Sequence, residues 1–115
     1  MMHGLLIPIH ANKLWITSDE IVALRSVQNY TEIIHINGKK FLFSRTLKIV
    51  AQRLAASEQF FRVSRGSVVN LSQISYYSKN DFSLEIHLSN GEVEVVSRRR
   101  QMDFLTEFAK VNKAS

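Results

Sequence analysis

The sequence predicts a mostly β fold carrying two short helices. Two observations support that expectation. Apolar and polar residues alternate beside two Asn-Gly pairs, Asn37-Gly38 and Asn90-Gly91, the pattern of hairpin strands with one wet face. In two other stretches the apolar spacing lengthens to three and four residues, the period of a helix.

The elements follow in chain order. Residues 14–17 and 21–26 read as strands joined by the polar turn Ser18-Asp19-Glu20. The first hairpin spans 30–36 and 40–44 about Asn37-Gly38, with Ile33 and Ile34 on opposite faces, so this pair is buried on both sides. Leu47, Val50, Ala51 and Leu54 then form a helical stripe, with Lys48, Gln52 and Arg53 outside it. Residues 60–63 and 68–77 are apolar and extended, interrupted by Ser64-Arg65-Gly66-Ser67. The second hairpin is the more regular. Leu84, Ile86 and Leu88 alternate with Ser83, Glu85 and His87, and Val93 and Val95 alternate with Glu92 and Glu94 after the turn. Both Asn-Gly turns are expected to be type I′, with positive φ at each central residue. A closing helix carries Phe104, Leu105, Phe108 and Val111 on one face.

A chain of 115 residues is expected to form one domain, its core at about 7–110, because two separate cores would each be too small. Hydrophobic residues at 45% argue against disorder. There is no cysteine, which excludes disulfides and thiolate metal sites. Apolar runs are too short to cross a bilayer, and residues 1–10 carry no signal-peptide pattern, so the expected location is the cytoplasm. The formal net charge of +5 suits a polyanionic partner. Its distribution says more: Lys39 to Arg65 holds seven basic residues against one acid, and Arg98-Arg99-Arg100 forms a second cluster. No nucleophile elbow, phosphate-cradling glycine loop or metal-ligand spacing is present, and His3, His10, His35 and His87 are scattered. The expectation is a protein that is not an enzyme, with no cofactor, no metal and no small-molecule substrate.

Three patches remain as candidates for binding. If Ser97 caps the last helix, Arg98, Arg99 and Arg100 occupy its first turn, where each cation costs about 0.3–1 kcal/mol against the helix dipole. Such a turn makes sense if a phosphate docks there, or if one arginine reads guanine through its paired donors. The plainer reading is a solvated basic turn, with Asp103 and Glu107 pairing down the helix. Arg65 lies in the polar interruption beside Gly66, which permits an unusual turn, so the stretch is an exposed loop, either a binding loop or a plain surface turn. Gln28-Asn29-Tyr30-Thr31 opens the first hairpin with side chains able to meet adenine edges, phosphate or sugar, although turn chemistry explains Asn29 equally well. Lys48 is a solvated lysine that could also meet phosphate.

The ordered set Asn29-Tyr30-Thr31, Arg45-Thr46-Leu47-Lys48, Phe61-Arg62-Val63-Ser64-Arg65, Val69-Asn70-Leu71-Ser72-Gln73-Ile74, Leu88-Ser89-Asn90-Gly91 and Val96-Ser97-Arg98-Arg99-Arg100 closely resembles the LytTR domain. That domain is the DNA-binding half of LytR/AgrA-type response regulators. The match runs over roughly residues 7–108. The resemblance implies about ten strands in small antiparallel sheets with short helices, binding promoter DNA through loops in successive major grooves, on direct repeats and as a dimer. It implies base contacts at Tyr30 or Asn29, at Ser64-Arg65 and at Arg99, with phosphate contact at Lys48. Where the family often has His-Arg-Ser, this chain has Ser64-Arg65-Gly66, so a base contact at Ser64 departs from the pattern. Lys39, Lys40, Arg45, Arg98 and Arg100 are further candidates for phosphate contact; about six neutralised phosphates would give a log–log salt slope near −5. Most relatives carry a receiver domain; the twelve residues before the first expected strand cannot hold one, so the expectation is a free-standing regulator or a fragment.

Two other functions fit a basic β-rich chain. An RNA-binding module needs an aromatic platform on a sheet face, for which Tyr76, Tyr77 and Phe82 are the candidates. A protein-interaction domain would use its basic faces to dock an acidic or regulatory protein partner.

Overall fold

A computed structural model of the chain describes residues 3–9 and 12–113. Ten strands form three antiparallel sheets, accompanied by two α-helices and short 3-10 turns. β1 (Gly4–Ile9) and β2 (Asn12–Thr17) make a hairpin. The central sheet takes β3 (Ile21–Val27), β4 (Tyr30–His35), β5 (Lys40–Phe43), β6 (Phe60–Ser64) and β7 (Ser67–Asn70), in the order β5-β4-β3-β7-β6. β8 (Ile74–Lys79), β9 (Leu84–Leu88) and β10 (Val93–Val95) form the third sheet, with β9 in the middle. α1 (Leu47–Arg53) follows β5, and α2 (Gln101–Lys113) closes the described chain.

The central sheet is buried on both faces, as the adjacent pair Ile33-Ile34 anticipated. Ile33, Leu24, Val68 and Phe43 face one core, with Leu5, Ile7 and Ile16 of the β1–β2 hairpin and Leu47, Val50 and Leu54 of α1. Ile34, Ala23, Val69 and Val63 face the other, with Leu84, Ile86 and Leu88 of β9 and Phe104 and Phe108 of α2. Successive residues of a strand point to opposite faces, so one sheet serves two cores.

Several expectations need correction. β1 was not visible because Pro8 breaks the strand pattern of its apolar run; it is tolerated on a strand that, among the described residues, pairs with β2 alone. The stretch 68–77 is not one strand. Asn70 accepts a hydrogen bond from the Ser72 amide and donates to the carbonyl of Ile21, and this local bonding breaks the run at the 3-10 turn Leu71–Gln73. β7 and β8 consequently belong to different sheets. The Asn-Gly hairpins form, but their turns are not type I′. Gly38 (φ 91°) and Gly91 (φ 89°) have positive φ while Asn37 and Asn90 do not. The Gly38 amide donates to the carbonyl of His35 and the His35 amide to that of Lys39, closing a three-residue loop, and Leu88, Gly91 and Glu92 repeat the pattern. In each loop the asparagine Oδ1 accepts from the amide two residues on, fixing the turn without itself going left-handed.

Candidate nucleic-acid interface

Four connections meet at one end of the central sheet. Gln28 and Asn29 link β3 to β4, and Arg65 and Gly66 link β6 to β7. The segment after β5 carries Ser44, Arg45 and Thr46, and the segment after β10 carries Val96, Ser97 and the 3-10 turn Arg98–Arg100. Three hydrogen bonds fasten them together. The Ser26 amide donates to the carbonyl of Gly66 at 2.9 Å, setting the first two turns side by side. The Ser97 amide donates to the carbonyl of Val63 at 2.8 Å, tying the arginine turn to β6. The buried Thr31 Oγ1 donates to the carbonyl of Arg45 at 2.8 Å. A register shift between Arg62 and Ser64 lets β6 bulge against β7, and bulges re-aim side chains next to binding sites.

Two adjoining hollows result. One is lined by Ser26, Gln28, Thr46, Lys48, Arg62 and Arg65, the other by Arg62, Arg65, Ser97, Arg99 and Arg100. No acidic residue lines either. Tyr30, Asn29, Arg45, Arg65, Arg98 and Arg99 are exposed at this end, Lys48 is exposed on α1, and Ser64 and Arg100 are half-buried. So the three patches read from sequence lie together on one surface. Lys39 and Lys40 do not join them. They sit at the β4–β5 turn, and Lys40 pairs with Ile34, four residues from Tyr30, which at strand rise is about 13 Å toward the opposite end.

Local details differ from the sequence reading. The segment 28–31 is a tight turn entering β4, not an open loop: Val27 pairs with Tyr30 and Thr31 is fully buried. Gln28 takes φ 56°, a left-handed conformation that costs a non-glycine residue about 1–2 kcal/mol. Gly66 is not left-handed, and a Cβ there would meet nothing within 4 Å, so the turn does not require its glycine. Ser97 does not cap a helix with its side chain; its Oγ is buried without a hydrogen-bond partner. The three arginines form their own 3-10 turn, α2 begins at Gln101, and the acid in the first turn of α2 is Asp103. The arginines therefore precede the first turn of α2 instead of occupying it, still at the positive end of its dipole.

Sequence reasoning missed Arg62 and Arg25. Arg62 Nε donates to the Ser64 carbonyl at 3.2 Å and Nη2 to the Arg65 carbonyl at 2.6 Å. Its place in the basic stretch was visible, but bonding to its own loop was not. Arg25, on β3, holds Glu94 at 2.6 Å and Glu92 at 2.5 Å. Burial opposes its charge, and the two carboxylates more than offset that and raise its pKa above the ordinary arginine value. This cluster pairs two carboxylates of the β9–β10 hairpin with a cation outside both hollows. Of the aromatic trio considered for an RNA platform, Tyr77 packs edge-on against Phe104 and Phe108, Tyr76 stacks on His87 with ring centroids 4.1 Å apart, and Phe82 is exposed between β8 and β9. Among the described residues no three or more His, Cys, Asp or Glu side chains cluster as metal ligands, and no helix is long and apolar enough to cross a membrane.

Comparison with known proteins agrees with this architecture. The chain superposes, with a TM-score of 0.77 at 15% identity, on the LytTr DNA-binding domain of a Bacillus cereus protein described as a methyl-accepting/DNA response regulator. The match covers 91% of this chain and 95% of that one. No curated protein matches the sequence. The family model for the LytTr DNA-binding domain matches residues 12–108, and the chain belongs to that family of DNA-binding domains.

Proposed function

We propose that this domain is a sequence-specific transcription regulator that reads promoter DNA with loops at the basic end of its central sheet, set into the major groove. The observation that carries the reading is the acid-free surface where Lys48, Arg62, Arg65, Arg99 and Arg100 line two adjoining hollows. Arg65, Arg99 and Arg100 sit on connections between elements, Arg62 on β6 and Lys48 on α1, so base reading by Arg65 and Arg99 needs no recognition helix. Arg65 and Arg99 supply base contacts, since paired guanidinium donors match guanine, and Asn29 or Tyr30 adds a third contact. Ser64 Oγ accepts from the Gly66 amide at 3.3 Å, so we assign Ser64 to holding the loop as well as facing the duplex. Arg45, Lys48, Arg98 and Arg100 meet phosphates, which position the protein without reading sequence. The far placement of Lys39 and Lys40 lowers the expected phosphate count to about four and the log–log salt slope to about −3.6.

Binding on direct repeats, as a dimer on DNA in the cytoplasm, completes the reading. Selection of bound duplexes from a random pool tests it. The expected result is enrichment of one short motif, with Arg65→Ala or Arg99→Ala relaxing preference at single positions at a cost of about 1–3 kcal/mol. Lys48→Ala should weaken all duplexes alike, and a Lys39→Ala/Lys40→Ala double variant should leave the salt slope unchanged. A pool that stays random, or tighter binding to single-stranded RNA than to any duplex, refutes the proposal.

A further inference from the structure

We propose that Arg62 is a positioning residue: its guanidinium clamps the β6–β7 loop so that Arg65 is presented in one orientation to a base edge. The inference rests on the reading of Arg65 given above. Arg62 stands between the two hollows and lines both. It spends Nε on the carbonyl of Ser64 and Nη2 on the carbonyl of Arg65. One acceptor is the last residue of β6 and the other lies in the loop that carries the reader; both are main-chain atoms, so the clamp does not depend on which side chain occupies position 65. Among the described residues Arg62 forms no ion pair, which leaves these carbonyls as its protein partners.

Only arginine suits this geometry. The guanidinium offers five donors in a fixed plane and can meet two neighbouring carbonyls at once, while a lysine ammonium on a flexible stem has no such fork. The Arg65 bond is exposed and that to Ser64 part-buried, so water competes for them and their contribution to overall stability is small. Orientation is what they supply. An exposed arginine side chain is free to adopt many rotamers, and bidentate reading of a base needs its backbone base held within a narrow range. The same loop is anchored on its far side by the Ser26 amide to the Gly66 carbonyl and internally by the Gly66 amide to Ser64 Oγ. Arg62 closes the remaining side. The bulge at Val63, whose own carbonyl is taken by Ser97, sets the strand so that Arg62 can reach forward over the turn.

The test compares wild type, Arg62→Lys, Arg62→Met and Arg65→Ala as the full chain. Two quantities are measured: affinity for the duplex enriched from the random pool against a scrambled duplex of equal length, across salt concentrations, and amide hydrogen exchange of Ser26 and Gly66 in the absence of DNA. Arg62→Lys and Arg62→Met should lose most of the discrimination between the two duplexes, a fall of about tenfold or more, while Arg62→Lys keeps the wild-type salt slope. Exchange at Ser26 and Gly66 should accelerate in both Arg62 variants and stay near wild type in Arg65→Ala, whose backbone acceptor remains. If Arg62→Met instead lowers the slope by about 0.9 with discrimination intact, Arg62 is a phosphate contact and the clamp is wrong. Unchanged exchange in both Arg62 variants also overturns it. Melting temperatures measured alongside separate loosening of the loop from loss of the fold. Should wild type itself fail to distinguish the duplexes, the reading of function falls, and the exchange data alone decide whether Arg62 holds the loop.

Discussion

Replacing Asn70 with leucine should cost about 2–3 kcal/mol of stability and leave DNA binding by the folded protein unchanged. Asn70 is fully buried at the end of β7, away from the basic surface. Its Nδ2 donates to the carbonyl of Ile21 at 2.8 Å and, more weakly, to that of Ser18 at 3.3 Å, while Oδ1 accepts from the Ser72 amide at 2.9 Å. Leucine keeps the branched four-atom outline, with bulkier methyl ends, and removes all three bonds. Ile21 is fully buried, so its carbonyl is left short of a partner without water to turn to, a loss of about 2 kcal/mol. Ser72 is exposed, and its amide can find water, so losing that bond adds only about 1 kcal/mol. For a chain of this size the total corresponds to a fall in melting temperature of about 10 °C. Urea unfolding followed by far-UV circular dichroism gives the free energy, and an unchanged m-value shows that the native and unfolded states are otherwise alike. A measured loss below about 1 kcal/mol would refute the reasoning, because it would mean that the stranded carbonyl is hydrated or re-bonded.

Two further outcomes follow from the charged clusters. Arg25→Met leaves Glu92 and Glu94 without their shared cation; with Arg25 a quarter exposed, the loss is discounted to about 1 kcal/mol and should shrink in high salt. Adding Glu92→Gln and Glu94→Gln to that variant should recover part of the loss, and thermal melts at low and high salt check both statements. Glu20 accepts from the Thr17 amide at 2.9 Å, the Thr17 hydroxyl at 3.0 Å and His35 Nε2 at 3.1 Å. The Thr17 backbone bond first, then its hydroxyl and His35, hold the Glu20 carboxyl below its ordinary pKa. A carboxyl lowered by folding stabilises the protein above the ordinary glutamate range and loses that contribution as pH falls through its folded value. Glu20→Gln should therefore flatten the acid limb of the stability–pH curve; an identical limb in the variant would contradict the assignment.

Much of this protein was legible in the sequence because the signals are local. A period of two or of three and four residues states which face of an element is apolar, and with the extended apolar runs it located both helices and eight strands approximately, one of them spanning what are two, β7 and β8. Adjacent isoleucines at 33 and 34 stated that β4 is buried on both sides, since neighbours on a strand cannot share a face. The ordered motifs were enough for the family, and the basic residues were enough to point to three patches.

Convergence was a different matter, because it depends on strand order and on which end of the sheet each turn occupies. The pairing of β3 with both β4 and β7 brings Gln28 beside Arg65, and the bond from Ser97 to Val63 brings in the arginine turn, though the three lie far apart in the chain. The same topology sends Lys39 and Lys40 to the other end, although charge density along the chain grouped them with the rest. Asn70 looked like part of an apolar strand, and Arg62 like one more basic residue. Only the folded chain shows that Asn70 spends its side-chain donors on carbonyls brought near by tertiary packing, and that Arg62 turns back onto carbonyls of the turn just after it. Sequence fixes what each side chain can do; which partners it meets is set by long-range pairing, which leaves no local periodic trace.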